Sequence, residues 1–153
     1  MTVRRLFDHR RSRLNLRTHM LVGLLLIPLS CFGSDFHVSP DGSDSGKGSS
    51  DQPWRTIACA APKLSAGDTL WLHDGEYAGG VKLKKPGLIG SPITIRAVNP
   101  GKAIIRGDSA TSGGDALIVF EVPYYLFDGL TVVEGQRAGL WIDKANHVTV
   151  RNC

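Results

Sequence analysis

The chain has 153 residues, enough for one domain of ordinary size and too few for two. Hydrophobic residues make up 42% and charged residues 21%, which excludes wholesale disorder, and 18 glycines with 8 prolines argue for a turn-rich fold over a helix bundle. The net charge of +4 sits at one end: residues 1–33 carry six arginines against Asp8, whereas residues 34–153 carry 12 basic and 13 acidic side chains, so the main body has no electrostatic footprint for nucleic acid.

Residues 1–33 read as an export signal. An arginine-rich stretch precedes the apolar run Met20–Leu29, about ten residues long where a bilayer span needs about 20. Small residues around Cys31 and Gly33 suit cleavage after Gly33. Acylation of Cys31 is the weaker reading, because Pro28 stands where an aliphatic residue is expected, and an uncleaved anchor is the alternative. The mature protein is expected to be secreted or periplasmic, with no membrane contact after cleavage.

Residues 34–66 form an entry segment. Phe36–Val38 has the length of a short strand, and Asp41–Gln52 is a Gly/Ser/Asp loop. That loop brushes a calcium-loop pattern at Asp41, Ser43, Ser45 and Gly46, but Gln52 stands where a bidentate Glu is required, so a solvated turn is expected. Trp54–Leu64 is the one helix candidate: Ile57, Ala60, Ala61 and Leu64 fall at helical spacing, and Pro62 ends or distorts it.

From Gly67 to Cys153 the chain repeats. Leu70, Ile93, Leu117 and Leu140 recur at a nearly constant interval, each followed two positions later by a second apolar residue (Leu72, Ile95, Val119, Ile142). A second series runs Val81, Ala103, Tyr125, Val148, then Leu83, Ile105, Phe127, Val150. Apolar pairs two apart mark one face of a short strand. Gly107, Gly129 and Asn152 follow this second series at a fixed offset and predict a recurrent left-handed turn, with Lys85 as the exception. A period of roughly 22–24 residues with short strands means a solenoid, because no single unit can bury its own face. The expected fold is all-β: a right-handed parallel β-helix of about four coils, with an N-terminal strand, loop and short capping helix over residues 34–66 and coils over 67–153. The last strand pattern runs to the final residue, so the solenoid is expected to be C-terminally incomplete, a fragment that associates through its uncapped end.

Stacking then predicts columns. Arg106, Asp128 and Arg151 fall in one and Glu121 and Lys144 in another, giving opposite-charge ladders worth about a few tenths of a kcal/mol each. Cys153 is expected to point inward with Leu130, and Cys59 to lie several coils away, so the two are read as small buried hydrophobes too far apart to pair.

The entry residues resemble those of polysaccharide lyase family nine, the pectate lyases. The resemblance rests on Phe36–Asp44, Gly48, Pro53–Ile57, Ala66–Leu72, Asp74–Tyr77 and Ser91–Ala97, covering roughly residues 36–107. It implies a β-helix whose helix after Pro53-Trp54 caps the first coil. It also implies a full-length enzyme that performs calcium-dependent β-elimination on an acidic polysaccharide. The family's calcium aspartates and catalytic lysine belong to later coils, so no residue here inherits those roles, and this chain alone is expected to be inactive.

A calcium site of that kind needs several carboxylates on one face of neighbouring coils. Asp108, Asp115 and Asp128 are the local candidates and fall in different columns. No column pairs two acids as a glycoside hydrolase requires. His37, His73 and His147 are scattered and lack metal spacing. Trp71 and Trp141 are the candidate substrate-binding residues: each lies between two inward residues and so points outward, on one sheet, three coils or about 14 Å apart, where exposed rings stack on sugars. The competing expectation is that loops cover them. A polysaccharide lyase is thus the first reading, with a non-catalytic β-helix surface or sugar-binding protein and a uronate C5-epimerase as alternatives.

Overall fold

The structure, a computed structural model, describes residues 33–107 and 114–153. The segment read as an export signal, apart from Gly33, and Asp108 lie outside the described residues.

Eleven strands are present among the described residues: β1 Asp35–Val38, β2 Thr69–Leu72, β3 Gly75–Ala78, β4 Val81–Leu83, β5 Ile93–Ala97, β6 Ala103–Arg106, β7 Leu117–Phe120, β8 Tyr125–Asp128, β9 Thr131–Val133, β10 Leu140–Asp143 and β11 Val148–Arg151. They pair in parallel as three sheets: A (β1-β2-β5-β8-β11), B (β3-β6-β9) and C (β4-β7-β10). From β2 onward the chain visits A, B and C in turn three times and re-enters A at β11. This is a parallel β-helix, as the repeat predicts. Strand alternation builds it: along β5, Ile93, Ile95 and Ala97 are buried while Thr94 and Arg96 face outward. Leu70, Leu72, Leu83, Ile105, Leu117 and Phe127 fill the space between the sheets. Each such side chain contributes about 1.5–3 kcal/mol of burial.

The predicted register is wrong in detail. Leu70 pairs with Ile95, Ile95 with Phe127 and Phe127 with Val150, so successive coils differ in length, the longest running from Ile95 to Phe127 and the shortest from Phe127 to Val150. Leu70 and Ile93 belong to sheet A, Leu117 and Leu140 to sheet C, and the four do not form one file. The physical reason is that each coil carries three short strands with similar apolar pairs. A constant step along the chain therefore joins different sheets as readily as equivalent positions when turn lengths vary. Only the last coil keeps the predicted step, and there the expected partners do meet: Leu117 with Leu140, Tyr125 with Val148 and Asp128 with Arg151.

The charge columns change accordingly. Arg151 binds Asp128 at 3.0 Å and Lys144 faces Glu121 at 3.4 Å, as expected. Arg106, however, lies in sheet B and pairs with Glu76 at 3.0 Å and with Glu134. Its predicted place beside Asp128 is taken by Arg96, at 3.1 Å.

The cap is shorter than its sequence pattern. An α-helical turn, α1 (Ile57–Ala60), continues as a 3-10 turn over Ala61–Lys63 that contains Pro62. Thr56 caps α1 by accepting the Cys59 N–H at 3.1 Å. Asp44 anchors the preceding loop to this cap through the Arg55 and Thr56 N–H groups and the Thr56 hydroxyl, each at 2.9 Å. Ile57, Ala60, Ala61 and Leu64 close the first end of the core.

Gly129 and Asn152 adopt the left-handed conformation predicted for them, at φ 73° and 54°. Gly107 does not; a Cβ there would come within 2.5 Å of the Glu134 carbonyl oxygen, so its glycine serves close packing. Glu121, Lys144, Tyr124 and His147 are left-handed instead, with φ between 49° and 61°, and form the stacked corners between sheets C and A. Nothing in those residue types announced it. Cys59 and Cys153 are both free. Cys153 is exposed, not buried: it lies beside the buried Leu130 at the open end of the core, where Ile142 and Val150 are 42% and 47% exposed because β10 and β11 are edge strands of their sheets.

Candidate functional site

Sheet C carries a groove on its outer face. Its floor is the outward column Lys82, Ile118 and Trp141, which the register sets side by side on β4, β7 and β10. Lys84, Glu121, Arg137 and Asp143 complete the walls of a groove of about 670 Å³. Alternation along Val81–Leu83 buries Val81 and Leu83 and turns Lys82 outward.

Arg137 is the most tightly placed of these cations. It comes from the turn between β9 and β10, and its guanidinium lies 4.5 Å from the centre of the Trp141 ring. Its other partner is Asp115, at 2.5 Å, a carboxylate fully buried beneath it that also accepts the Ala138 N–H at 3.1 Å. These hydrogen bonds, Arg137 first, hold the Asp115 carboxyl below its ordinary range in spite of burial. The Arg137 side chain nevertheless remains 52% exposed. A guanidinium fixed between an aromatic face and a buried acid, with an open side, is pre-organised to receive a carboxylate or sulfate in fork geometry.

Trp71 has a similar companion on another face. Arg96 lies 4.7 Å from its ring centre and binds Asp128. The Trp71 indole N–H donates to Asp35 at 3.1 Å. Asp128 is buried and also accepts from Asn152 at 2.8 Å and from Arg151, bonds that hold its carboxyl low. The outward column here is His37, Trp71, Arg96, Asp128 and Arg151, in which Asp128 pairs with both arginines.

The two predicted tryptophans therefore do not share a face: Trp71 is on sheet A and Trp141 on sheet C. Each is half-buried under an arginine rather than covered by a loop. The slip in register that merged the sheets produced the error. Sequence reasoning also missed Lys82, Lys84 and Arg137. The alternation Val81-Lys82-Leu83-Lys84 signals two outward lysines on one face; Arg137 sits in a turn and carries no such signal.

Asp115 lies just before β7 and Asp128 ends β8 in sheet A, and each is engaged with an arginine, so they do not converge. No group of three or more His, Cys, Asp or Glu residues able to hold a metal ion occurs among the described residues, which do not fit a calcium centre. His37 and His73, read as scattered, are brought together: His37 Nδ1 is 3.2 Å from His73 Nε2.

Comparison with known proteins extends this picture. The family model described as the Pel9A-like, right-handed β-helix region matches residues 36–153. Pectate lyase PEL9 of Emericella nidulans is 28% identical over 137 residues, 78% of this chain and 33% of that protein. The alginate lyase from a Paenibacillus species is 27% identical with a TM-score of 0.56, over 75% of this chain and 34% of that one. Pectate lyase Pel9A matches the fold with a TM-score of 0.56 at 23% identity, over 77% of this chain and 34% of that one. The chain thus spans about a third of the length of these relatives.

Proposed function

The chain belongs to the Pel9A-like right-handed β-helix family, and from that premise we propose that it is part of an exported carbohydrate-active protein that binds an acidic polysaccharide along the sheet C groove. The observation that carries the reading is Arg137, clamped between Trp141 and buried Asp115 with its open side on the groove. Lys82 and Lys84 add positive charge along the same wall. A uronate polymer offers a ring face for Trp141 and a carboxylate for Arg137, so stacking and charge-assisted hydrogen bonding act on one sugar unit. Relatives named as pectate and alginate lyases support this substrate class.

The reaction proposed for the full-length protein is β-elimination. A base removes the proton α to the uronate carboxylate and the glycosidic oxygen departs from the adjacent carbon. Calcium would neutralise that carboxylate; among the described residues no group of three or more His, Cys, Asp or Glu is placed to hold it. The role of the present segment is to bind and orient the polymer. Export follows from reading residues 1–33 as a cleaved signal.

The test is calorimetric titration with oligogalacturonate, oligoalginate and a neutral oligosaccharide. Preferential binding of the acidic polymers, lost in Trp141→Ala and Arg137→Ala, is the expected outcome. Equal binding of the neutral sugar, or an unchanged affinity in both variants, overturns it. Full-length protein releasing unsaturated uronates identifies the lyase; inversion at C5 without chain cleavage identifies an epimerase.

A further inference from the structure

Far from the sheet C groove, two imidazoles meet at the entry of the solenoid. His37 lies in the middle of β1 and His73 just after β2, and parallel pairing of those strands places their rings 5.4 Å apart between centroids and tilted by 57°. The closest ring nitrogens, His37 Nδ1 and His73 Nε2, are 3.2 Å apart.

Both backbones are fixed. The His37 N–H donates to the Gly48 carbonyl at 2.8 Å, and its carbonyl accepts from the Trp54 N–H at 3.0 Å. The His73 N–H donates to the Val38 carbonyl at 2.9 Å, and its carbonyl accepts from the Tyr77 hydroxyl at 2.8 Å. Neither ring is presented by a free loop. Asp35, two positions before His37 on the same strand face, acts on it electrostatically.

We propose that His37 and His73 form a binding site for a first-row transition-metal cation of the Zn²⁺ class. Zinc–nitrogen bonds are about 2.0–2.1 Å long, so nitrogens 3.2 Å apart subtend an angle of about 100° at a shared ion, close to tetrahedral. His37 Nδ1 and His73 Nε2 would each present a lone pair, with the ring protons on the other nitrogens, and water would fill the remaining positions. The site joins the entry strand β1 to the first coil, so an ion there would tie together segments far apart in sequence.

Calorimetric titration of the protein with Zn²⁺ in a non-chelating buffer tests this, with His37→Gln, His73→Gln and the control His147→Gln. Uptake of one equivalent at a Kd of micromolar order is expected, weakened at least tenfold in each of the first two variants and unchanged in the control. Because a variant in β1 can disturb folding, histidine ring resonances of the unaltered protein supply a second readout: Zn²⁺ should shift those of His37 and His73 and leave that of His147. Uptake that persists in both variants, shifts confined to other histidines, or no uptake by the folded protein at about millimolar Zn²⁺ overturns the site and leaves a simple imidazole–imidazole hydrogen bond.

Discussion

Sheets A and C each carry the same three side-chain types in contact, a tryptophan, an arginine over its ring and a buried aspartate under the guanidinium. On sheet A, Trp71, Arg96 and Asp128 sit on three successive strands of one column. Asp128 is shared among Arg96, Arg151 and Asn152, and the Trp71 N–H is taken by Asp35. On sheet C, Arg137 arrives from a turn, binds Asp115 and leaves half of its side chain open above a groove. Identical chemistry therefore serves two ends: the sheet A set closes a ladder and holds neighbouring strands together, and the sheet C set keeps a donor surface directed at solvent.

The largest expected effect separates the two by ligand affinity. Arg137→Ala should weaken oligogalacturonate binding tenfold or more, about 1.4 kcal/mol, while Arg96→Ala changes it less than twofold. Parallel losses in the two variants would erase the distinction. Stability should follow the same order: Arg137→Ala leaves the buried Asp115 without its charge partner and should lower the urea midpoint by the equivalent of about 1–3 kcal/mol, whereas Arg96→Ala costs less because Asp128 keeps Arg151 and Asn152.

Acid should act on both sets and on the entry strand in sequence. The His37 pKa is lowered from 6.5 by burial, by His73 and against Asp35, so the unfolded chain takes up the proton first. The stability this gives is present above pH 6.5 and is lost as pH falls from there through the lowered folded-state pKa. Asp115 and Asp128 are held below 3.8, so their contribution is intact above that pH and disappears as pH falls further. Melting temperature should fall in two steps, the first absent in His37→Gln and the second blunted in Asp128→Asn. A single step unaffected by either variant would contradict this. Smaller effects belong to the periphery: Thr56→Ala should cost about 1 kcal/mol through loss of the helix cap, and Glu121→Gln less than about 0.5 kcal/mol, both read from chemical denaturation.

The solenoid architecture was legible because it depends on local pattern. Apolar pairs two apart, separated by turn residues, specify short strands, and many such strands in one chain must stack to bury their faces. The entry cap was legible in Trp54–Leu64 for the same reason. The assignment of strands to sheets was not, since coils of unequal length look alike in a pattern that repeats at every strand.

What the residues determined alone is therefore the type of element, its inward face and the parallel coil they build. Tertiary structure decided which strand lies beside which. With that it decided that Trp71 and Trp141 face different directions, that Arg96 and not Arg106 meets Asp128, and that His37 touches His73. Side-chain alternation is a property of the backbone at each residue, whereas neighbours across a parallel sheet depend on the length of every turn between them, and turn length leaves no periodic trace.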